Sequence, residues 1–316
     1  MKANSNKKAL QTQNLLKTVI GITIILLMLF ALVKPDFYIS SAYGGLVLWA
    51  TSLLPALFPF FVFTKIIVEL NILKPISHIL AKPMKLLFNT GKNSGYLYVV
   101  SMLCGYPIGS KIIVDAYSNG QIDYTELHRL TTITSISGPL FIVGTVGISM
   151  LGNSKIGYII MFAQILASIL NGIFFRSYTP KTLPKQTDLS NNIKKENLLV
   201  SSINSSIQSI LLIGGLVTVF FVGIEVLNSF INLPPLTQGM IELTKGCYEV
   251  ALSSYSPIIS ATLCSMLIGF GGFCIHAQSY FFLSQVGISY SFFLTQKCTQ
   301  LLLSGVVTYF LALLIL

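Results

Sequence analysis

Residues 94–117 read SGYLYVVSMLCGYPIGSKIIVDAY, an apolar stretch that Gly105-Tyr106-Pro107 interrupts midway. Its length suits a membrane-spanning helix, which needs about 20 apolar residues. However, glycine and proline interrupt helices, and backbone groups freed at membrane depth are tolerated only where protein or a wet cavity covers them. The stretch therefore predicts a re-entrant or broken helical hairpin beside an internal site.

The composition of the whole chain predicts that lipid surrounds this hairpin. Charged residues make up 9% and hydrophobic residues 53% of the 316 residues, whereas a soluble domain carries about 25% charged residues. A soluble fold of this length leaves too much surface in water to hide that apolar excess. We therefore expect an all-α polytopic membrane protein with the lipid bilayer as its solvent.

Lysine and arginine residues between the apolar segments predict the topology. The apolar segments cover residues 15–33, 43–68, 94–117, 131–151, 156–176, 203–228, 256–284 and 288–316. Two loops, 69–92 and 176–196, hold most of the connecting positive charge, and such loops usually face the cytoplasm. Because an even number of segments must then cross between these loops, segment 94–117 is expected to enter and leave on one side. Both chain termini are expected in the cytoplasm.

A short internal repeat pairs the first break with a second one. Ser101–Tyr106 (SMLCGY) recurs 164 residues later as Ser265–Phe270 (SMLIGF). On the predicted topology the two halves are inverted repeats, an arrangement in which many carriers build a midplane site from discontinuous helices. We expect about six full transmembrane helices and two re-entrant or broken hairpins.

This organisation divides the chain into four parts. Residues 1–42 hold a cytoplasmic tail and an extra first helix, and 43–176 form the first repeat. Residues 177–197 are a cytoplasmic linker, and 198–316 form the second, inverted repeat. The apolar run over 15–33 lacks an obvious small-residue cleavage site, so we expect a retained helix and no cleaved signal peptide.

Three cationic or protonatable side chains accompany the apolar segments. Lys111 follows the first break, His276 follows the second, and Lys297 lies in the last segment. A lysine at membrane depth costs about 2.5–3.5 kcal/mol on insertion scales, so it usually has a partner or a wet cavity. One interpretation is recognition of an anionic solute. The alternative is that the lysines snorkel to an interface and that His276 joins helices through a hydrogen bond.

The polar residues before Gly138-Pro139 predict the start of a half-helix there. A half-helix amino terminus offers free N–H groups and a positive dipole end, which suit a carboxylate; an ordinary proline kink is the alternative. The predicted substrate-binding residues are Gly105, Tyr106, Pro107, Gly109, Ser110, Lys111, Ser135, Ser137, Gly138, Pro139, Gly269, Gly271, Gly272, His276, Gln278, Gln296, Lys297 and Gln300.

Four motifs in combination resemble a known family. They are GYPIGSK (105–111), DAY (115–117) with Gly120, SGPLFIVGTVG (137–147) and GFGGFCIHAQ (269–278). This set resembles the YlbJ-type (SpoVV) sporulation integral membrane proteins, which carry the nucleoside-recognition or Gate domain. The resemblance implies a distant kinship with concentrative nucleoside transporters and a similar fold. It also implies a role in endospore formation, where the family is associated with moving dipicolinic acid across the outer forespore membrane.

A membrane carrier for a small organic anion is the function that these features favour, with dipicolinic acid implied by the resemblance. The alternatives are a nucleoside-like solute and a non-transporting membrane protein needed for spore assembly. The stretch Thr134–Ser137 is poorer in Asn and Cys than in that family, which leaves the substrate open. Whether the chain acts as a monomer or a homo-oligomer is also open.

Other classes of function have little support in the sequence. No HExxH, GxSxG or paired intramembrane carboxylates occur, so we expect no enzyme. The five cysteines form no CxxC pair, and we expect no metal and no other cofactor. Most of the net charge of +10 lies in short loops, so we expect no nucleic-acid partner.

Cysteine accessibility tests the predicted topology. In a variant without the five native cysteines, Lys82→Cys and Lys185→Cys should react with an impermeant maleimide in inside-out vesicles and not in intact cells, because both loops should be cytoplasmic. Asp36→Cys, in the loop expected on the other side, is the control and should react in intact cells. Reaction of the first two from opposite sides would contradict the inverted repeat.

Overall fold

The computed structural model describes residues 18, 21–70, 72–180 and 197–316, and these residues are helical with connecting turns. A π-helical turn (Trp49–Leu53) joins the second helix to the third, and a π-helix (Phe141–Met150) follows the seventh. The α-helices in chain order are α1 (Gly21–Val33), α2 (Pro35–Leu48), α3 (Leu54–Glu69), α4 (Ile76–Phe88), α5 (Ser94–Cys104), α6 (Ile108–Ser118), α7 (Tyr124–Thr134), α8 (Ser154–Phe174), α9 (Leu198–Asn228), α10 (Pro235–Ile241), α11 (Leu243–Leu252), α12 (Pro257–Phe270), α13 (Gly272–Gln285) and α14 (Tyr290–Ile315).

Five stretches of the described chain are long and apolar enough to cross a membrane. They are Pro35–Glu69, Ser154–Phe174, Leu198–Asn228, Pro257–Gln285 and Tyr290–Ile315. Large apolar side chains lie exposed on several of these helices and would meet lipid. The polytopic helical membrane class is therefore confirmed, while the number of six spans stays a prediction. The amino-terminal tail, the start of the predicted first helix and most of the predicted linker lie outside the described residues.

The beginning of α2 corrects one predicted boundary. The sequence predicts a loop over 34–42, but α2 begins at Pro35. Proline suits the first helical turn, where its missing N–H would have no partner within the helix. Ser41 donates from Oγ to the Phe37 carbonyl (2.8 Å), so its hydroxyl is satisfied inside the helix. The boundary after residue 42 therefore falls inside α2, and the break lies at Lys34.

The interrupted stretch 94–117 forms a helical hairpin. α5 and α6 pack side by side, and Gly105, Tyr106 and Pro107 make the turn between them. α5 ends at Cys104, and the turn lets α6 reverse direction. We call α5–α6 the first hairpin.

A second hairpin precedes the break at Gly269–Gly272 in the chain. α10 and α11 pack against each other on both sides of Glu242. The charged residues of this segment make its sequence resemble that of a water-exposed loop. By contrast, α12 and α13 follow one another within a single apolar stretch of 29 residues. Gly271 (φ 90°) and Gly272 (φ 68°) make that break without a loop. The sequence left open whether Gly269–Gly272 makes a re-entrant hairpin or interrupts a spanning helix. The structure has an interrupted helix.

The same order of elements therefore occurs twice. The first unit is the hairpin α5–α6, an interrupted helix made of α7 and the π-helix, and α8. The second unit is the hairpin α10–α11, the interrupted helix α12–α13, and α14. The packing between units is reciprocal: α6 contacts α13 while α11 contacts the π-helix, and α8 contacts α12 while α14 contacts α7.

The repeated order of elements changes which positions of the first unit are equivalent to which positions of the second. The SMLCGY and SMLIGF match aligns a hairpin turn with an interrupted helix. The order of elements instead pairs the turn at Gly105 with Glu242, and the break at Ser135–Gly138 with Gly271. The inverted orientation of the two units in a membrane stays a prediction.

Candidate functional site

The turn of the first hairpin lies directly against the break after α7. The Tyr106 N–H donates to the Ile136 carbonyl (2.9 Å), which a continuous helix would have used internally. Gly105 has φ 70°, a conformation that favours glycine, and a Cβ there would lie 3.0 Å from Gly138 Cα. The two interruptions of the first unit thus satisfy each other's backbone groups.

Lys297 on α14 lies close to both breaks, the one at Ser135 in the first unit and the one at Gly271 in its own unit. Its Nζ donates to the Ser135 carbonyl (2.9 Å), where α7 ends, and lies 5.4 Å from the centre of the Tyr106 ring. A Cβ built on Gly271 would lie 3.6 Å from Lys297 Cε. A cation at the carboxyl end of a half-helix is favourably placed, because the carbonyl dipoles point toward it.

The Lys297 ammonium has no counter-charge in the described protein. The side chain is 0% exposed, and no ion pair of the described residues includes it. One carbonyl and one aromatic face satisfy only part of an ammonium group with three donors. A buried charge in this state is costly unless an anion or water joins it. This supports the functional interpretation of Lys297 over snorkelling.

Other buried polar groups near these breaks also lack protein partners. The Ser135 hydroxyl, the Gln296 amide nitrogen and both amide atoms of Gln300 make no hydrogen bond within the described chain. Gln300 lies one helical turn beyond Lys297 on α14, so the two share a face. Buried polar groups are usually satisfied, so this set is suited to binding a polar solute or water.

His276 and Lys111 are placed differently from Lys297. The His276 Nε2 lies 2.9 Å from the Phe270 carbonyl, where α12 ends, and its Nδ1 lies 3.3 Å from the Tyr290 hydroxyl. Both ring nitrogens therefore have protein partners, which matches the helix-packing alternative. Lys111 is exposed on α6 and lies apart from the buried cation. Of the three predicted cationic groups, Lys297 alone is buried with donors that its described protein partners do not fill.

A cavity of about 50 Å³ lies where both hairpins and both interrupted helices meet. This is room for a few water molecules and too little for a ring-sized solute. Five predicted residues line it, and Glu242 is the carboxylate that borders it. The lining residues are Leu53, Leu57, Phe60, Phe61, Cys104, Tyr106, Pro107, Ser137, Gly138, Phe141, Ile213, Val217, Glu242, Leu243, Thr244, Cys274, Ile275 and Gln278.

The remaining predicted residues serve mainly in close packing. Gly109 faces Ser101 and the Thr134 backbone, and Gly269 faces the α14 backbone at Gln300. Gly272 faces the turn of the second hairpin. Ser110 is buried on α6, whereas Pro139 is half-buried beside the first break. The Tyr106 ring borders both the cavity and Lys297, so it joins the two parts of the site.

The second hairpin is the part of the site that sequence reasoning missed. Glu242 accepts a hydrogen bond from the Lys245 N–H (2.7 Å) and caps α11. The apolar pattern over 235–252 is weak, so the segment resembles a loop. One usable signal was present: Gly239 and Gly246 lie seven residues apart, and their backbones meet where α10 packs on α11.

Lys245 attaches the second hairpin to α9. Its Nζ lies 2.6 Å from Glu225 Oε1 and 2.6 Å from Glu249 Oε1, and 4.2 Å from the centre of the Phe221 ring. The lysine side chain is 5% exposed. Removing it would leave two carboxylates facing each other in a poorly hydrated place.

These features define the class of the protein: a polytopic helical membrane protein in which interrupted helices and hairpins enclose a buried polar site. The chain is 25% identical to the sporulation integral membrane protein YlbJ of Bacillus subtilis (strain 168) over 307 residues, which is 84% of this chain and 75% of that relative. This match supports the resemblance to YlbJ-type proteins on which the motifs rest. No protein-family model and no solved structure matches the chain.

Replacing Lys245 tests the attachment of the second hairpin. Lys245→Ala should lower the thermal midpoint of the detergent-solubilised protein and speed hydrogen exchange over 235–252, because breaking a buried pair is strongly destabilising. Lys65→Ala is the matched control: its pair with Glu69 is about one-third exposed on both sides, and such pairs contribute about 0–1 kcal/mol. Equal effects of the two substitutions would contradict the assigned role.

Proposed function

We propose that this protein is a membrane carrier for a small organic anion, and that the anion is dipicolinate moved across the outer forespore membrane during endospore formation. The relative YlbJ is named a sporulation integral membrane protein, and the described chain has the apolar helices of such a protein. The family resemblance supplies dipicolinate as the candidate. The proposed orientation places both termini in the cytoplasm.

The observation that carries the proposal is the buried, unpaired ammonium of Lys297. It contacts a free carbonyl at one break and passes close to the glycine of the other. A carboxylate of the solute would supply the missing counter-charge, and a charge-assisted hydrogen bond is about twice as strong as a neutral one. The neighbouring Ser135 and Gln300 side chains offer further unpartnered polar atoms.

The surrounding architecture supports transport over catalysis. Many carriers bind their solute where discontinuous helices of two repeats meet, and move by rocking one repeat against the other. Here each hairpin packs on the interrupted helix of the other unit, so a change in either unit alters the cavity. The small cavity fits an occluded state that must open before a ring-sized solute enters.

Uptake into proteoliposomes tests the proposal. Wild-type protein should take up labelled dipicolinate, and Lys297→Met should lower the initial rate at least about tenfold, the loss expected for about 1.4 kcal/mol of binding. Methionine keeps most of the side-chain volume and removes the charge. Lys111→Met is the matched control and should transport normally, because Lys111 is exposed.

The outcomes separate the alternatives. No uptake of dipicolinate by wild type under any ion gradient would contradict the carrier and favour a non-transporting role in spore assembly. Uptake of labelled uridine in place of dipicolinate would favour the nucleoside-like solute. Dipicolinate uptake that Lys297→Met leaves unchanged would remove the proposed binding role of Lys297.

A further inference from the structure

Glu242 is a buried acid at the cavity wall that anion binding alone does not explain. Its side chain is 1% exposed, it lies between α10 and α11, and it borders the cavity. No ion pair of the described residues includes its carboxylate. A negative charge beside a site for a negatively charged solute opposes binding, because like charges in a poorly hydrated cavity repel strongly.

Helix capping explains the hydrogen bonds of Glu242 but not its charge. Its carboxylate caps α11 through the Lys245 N–H, and the Thr244 N–H and hydroxyl also donate to it. A neutral side chain caps equally well, and three helices of the membrane-embedded part use neutral caps: Asn153 for α8, Ser256 for α12 and Ser289 for α14. Asp123 also caps a helix, α7, with a carboxylate, but that cap is exposed and does not border the cavity. A buried ionisable cap against the cavity therefore suggests a role that uses its proton.

Most groups that surround Glu242 carry no compensating charge, and the Lys245 ammonium acts on it only from beyond ion-pair distance. Tyr106 and Cys104 border the cavity from the first hairpin, and Cys274 borders it from α13. The residues contributed by α3, the π-helical turn and α9 are apolar. On its own helix, Cys247 is buried, and the Lys245 ammonium pairs with carboxylates other than Glu242. Glu242 is thus the carboxylate whose ionisation changes the charge of the cavity wall.

We infer that Glu242 is a proton-binding site that couples proton movement to movement of the anion. The inference rests on the proposed function. A proton from the entry side binds one carboxylate oxygen of Glu242 as the solute enters, which removes the repulsion. When the hairpins open to the other side, the proton returns to water together with the anion. No bond of the solute changes, and one proton accompanies each anion.

Linkage fixes the sign of the pH dependence. If the anion favours protonated Glu242, then protonation favours the anion by the same factor. The affinity for the anion therefore falls as pH rises, by at most about tenfold per pH unit for one linked proton. Between about pH 6.5 and about pH 8.5 both carboxylates of dipicolinate stay ionised, because carboxylic acids titrate near pH 4. The solute itself then contributes no such change.

Dipicolinate uptake by proteoliposomes across this pH range tests the inference. Wild type should bind more weakly as pH rises and should accumulate dipicolinate against its gradient when the outside is acidic. Glu242→Gln keeps a capping oxygen and removes the charge, so its affinity should be independent of pH, and it should exchange dipicolinate without accumulating it. Glu249→Gln, about two turns along α11, is the matched control and should keep the pH dependence.

Two results would overturn the inference while leaving the carrier intact. One is a Glu242→Gln protein that exchanges dipicolinate with the pH dependence of wild type. The other is wild-type uptake without any accompanying proton entry, measured with a pH-sensitive dye in the vesicle lumen. Absence of dipicolinate uptake by wild type at every pH would instead contradict the proposed function itself.

A measurement on wild-type protein covers the case in which Glu242→Gln does not fold. A hydrophobic carbodiimide reacts with protonated buried carboxyls, so mass spectrometry should find the adduct on the peptide that contains Glu242. The yield should fall as pH rises and should change when dipicolinate is present. If labelling of Glu242 did not depend on pH while transport did, the coupling proton could not be assigned to this residue.

Discussion

The structure depends on satisfying backbone groups where helices are interrupted inside a membrane protein. No water in the hydrocarbon region can pair with a freed N–H or carbonyl, so each break needs a partner from elsewhere in the fold. The Tyr106 N–H pairs with Ile136, the Lys297 ammonium with Ser135, and the His276 ring with Phe270. These pairings lock hairpins, interrupted helices and α14 together.

The same requirement gives the site its chemistry. The His276 ring has a protein contact on each nitrogen, so that break is complete. The Lys297 partner is a buried amine with no counter-ion among the described residues. The break that it covers is satisfied only when an anion or water joins it. In the proposed carrier, the same side chain would both satisfy a break in the fold and bind the solute.

Part of this arrangement could be predicted from the sequence. Gly105-Tyr106-Pro107 interrupts an apolar stretch of spanning length. A hairpin was expected there because an even number of segments must cross between two Lys-rich loops on the same side. Lys297 stands out because a lysine in an apolar segment is costly. Both predictions follow from the order of apolar and charged residues along the chain. The structure shows the hairpin and buries Lys297.

The rest depends on tertiary packing that local pattern does not encode. The second hairpin holds Glu242 and Lys245, whose charges resemble those of a water-exposed loop, and only its packing against α9 and the cavity explains their burial. The short match between Ser101–Tyr106 and Ser265–Phe270 suggested the wrong equivalence, because six similar apolar residues fit either a hairpin or an interrupted helix. His276 could not be separated from Lys297 without its two partners.

Calorimetric titration of purified wild-type protein with dipicolinate and with its neutral diamide tests the central claim most directly. The two compounds share ring and size, and they differ in charge and in the NH2 donor that each amide has in place of a carboxylate oxygen. If the Lys297 ammonium binds a solute carboxylate, dipicolinate should bind at least about tenfold more tightly, a difference of about 1.4 kcal/mol. Equal affinity for the diacid and the diamide would contradict anion recognition at this site.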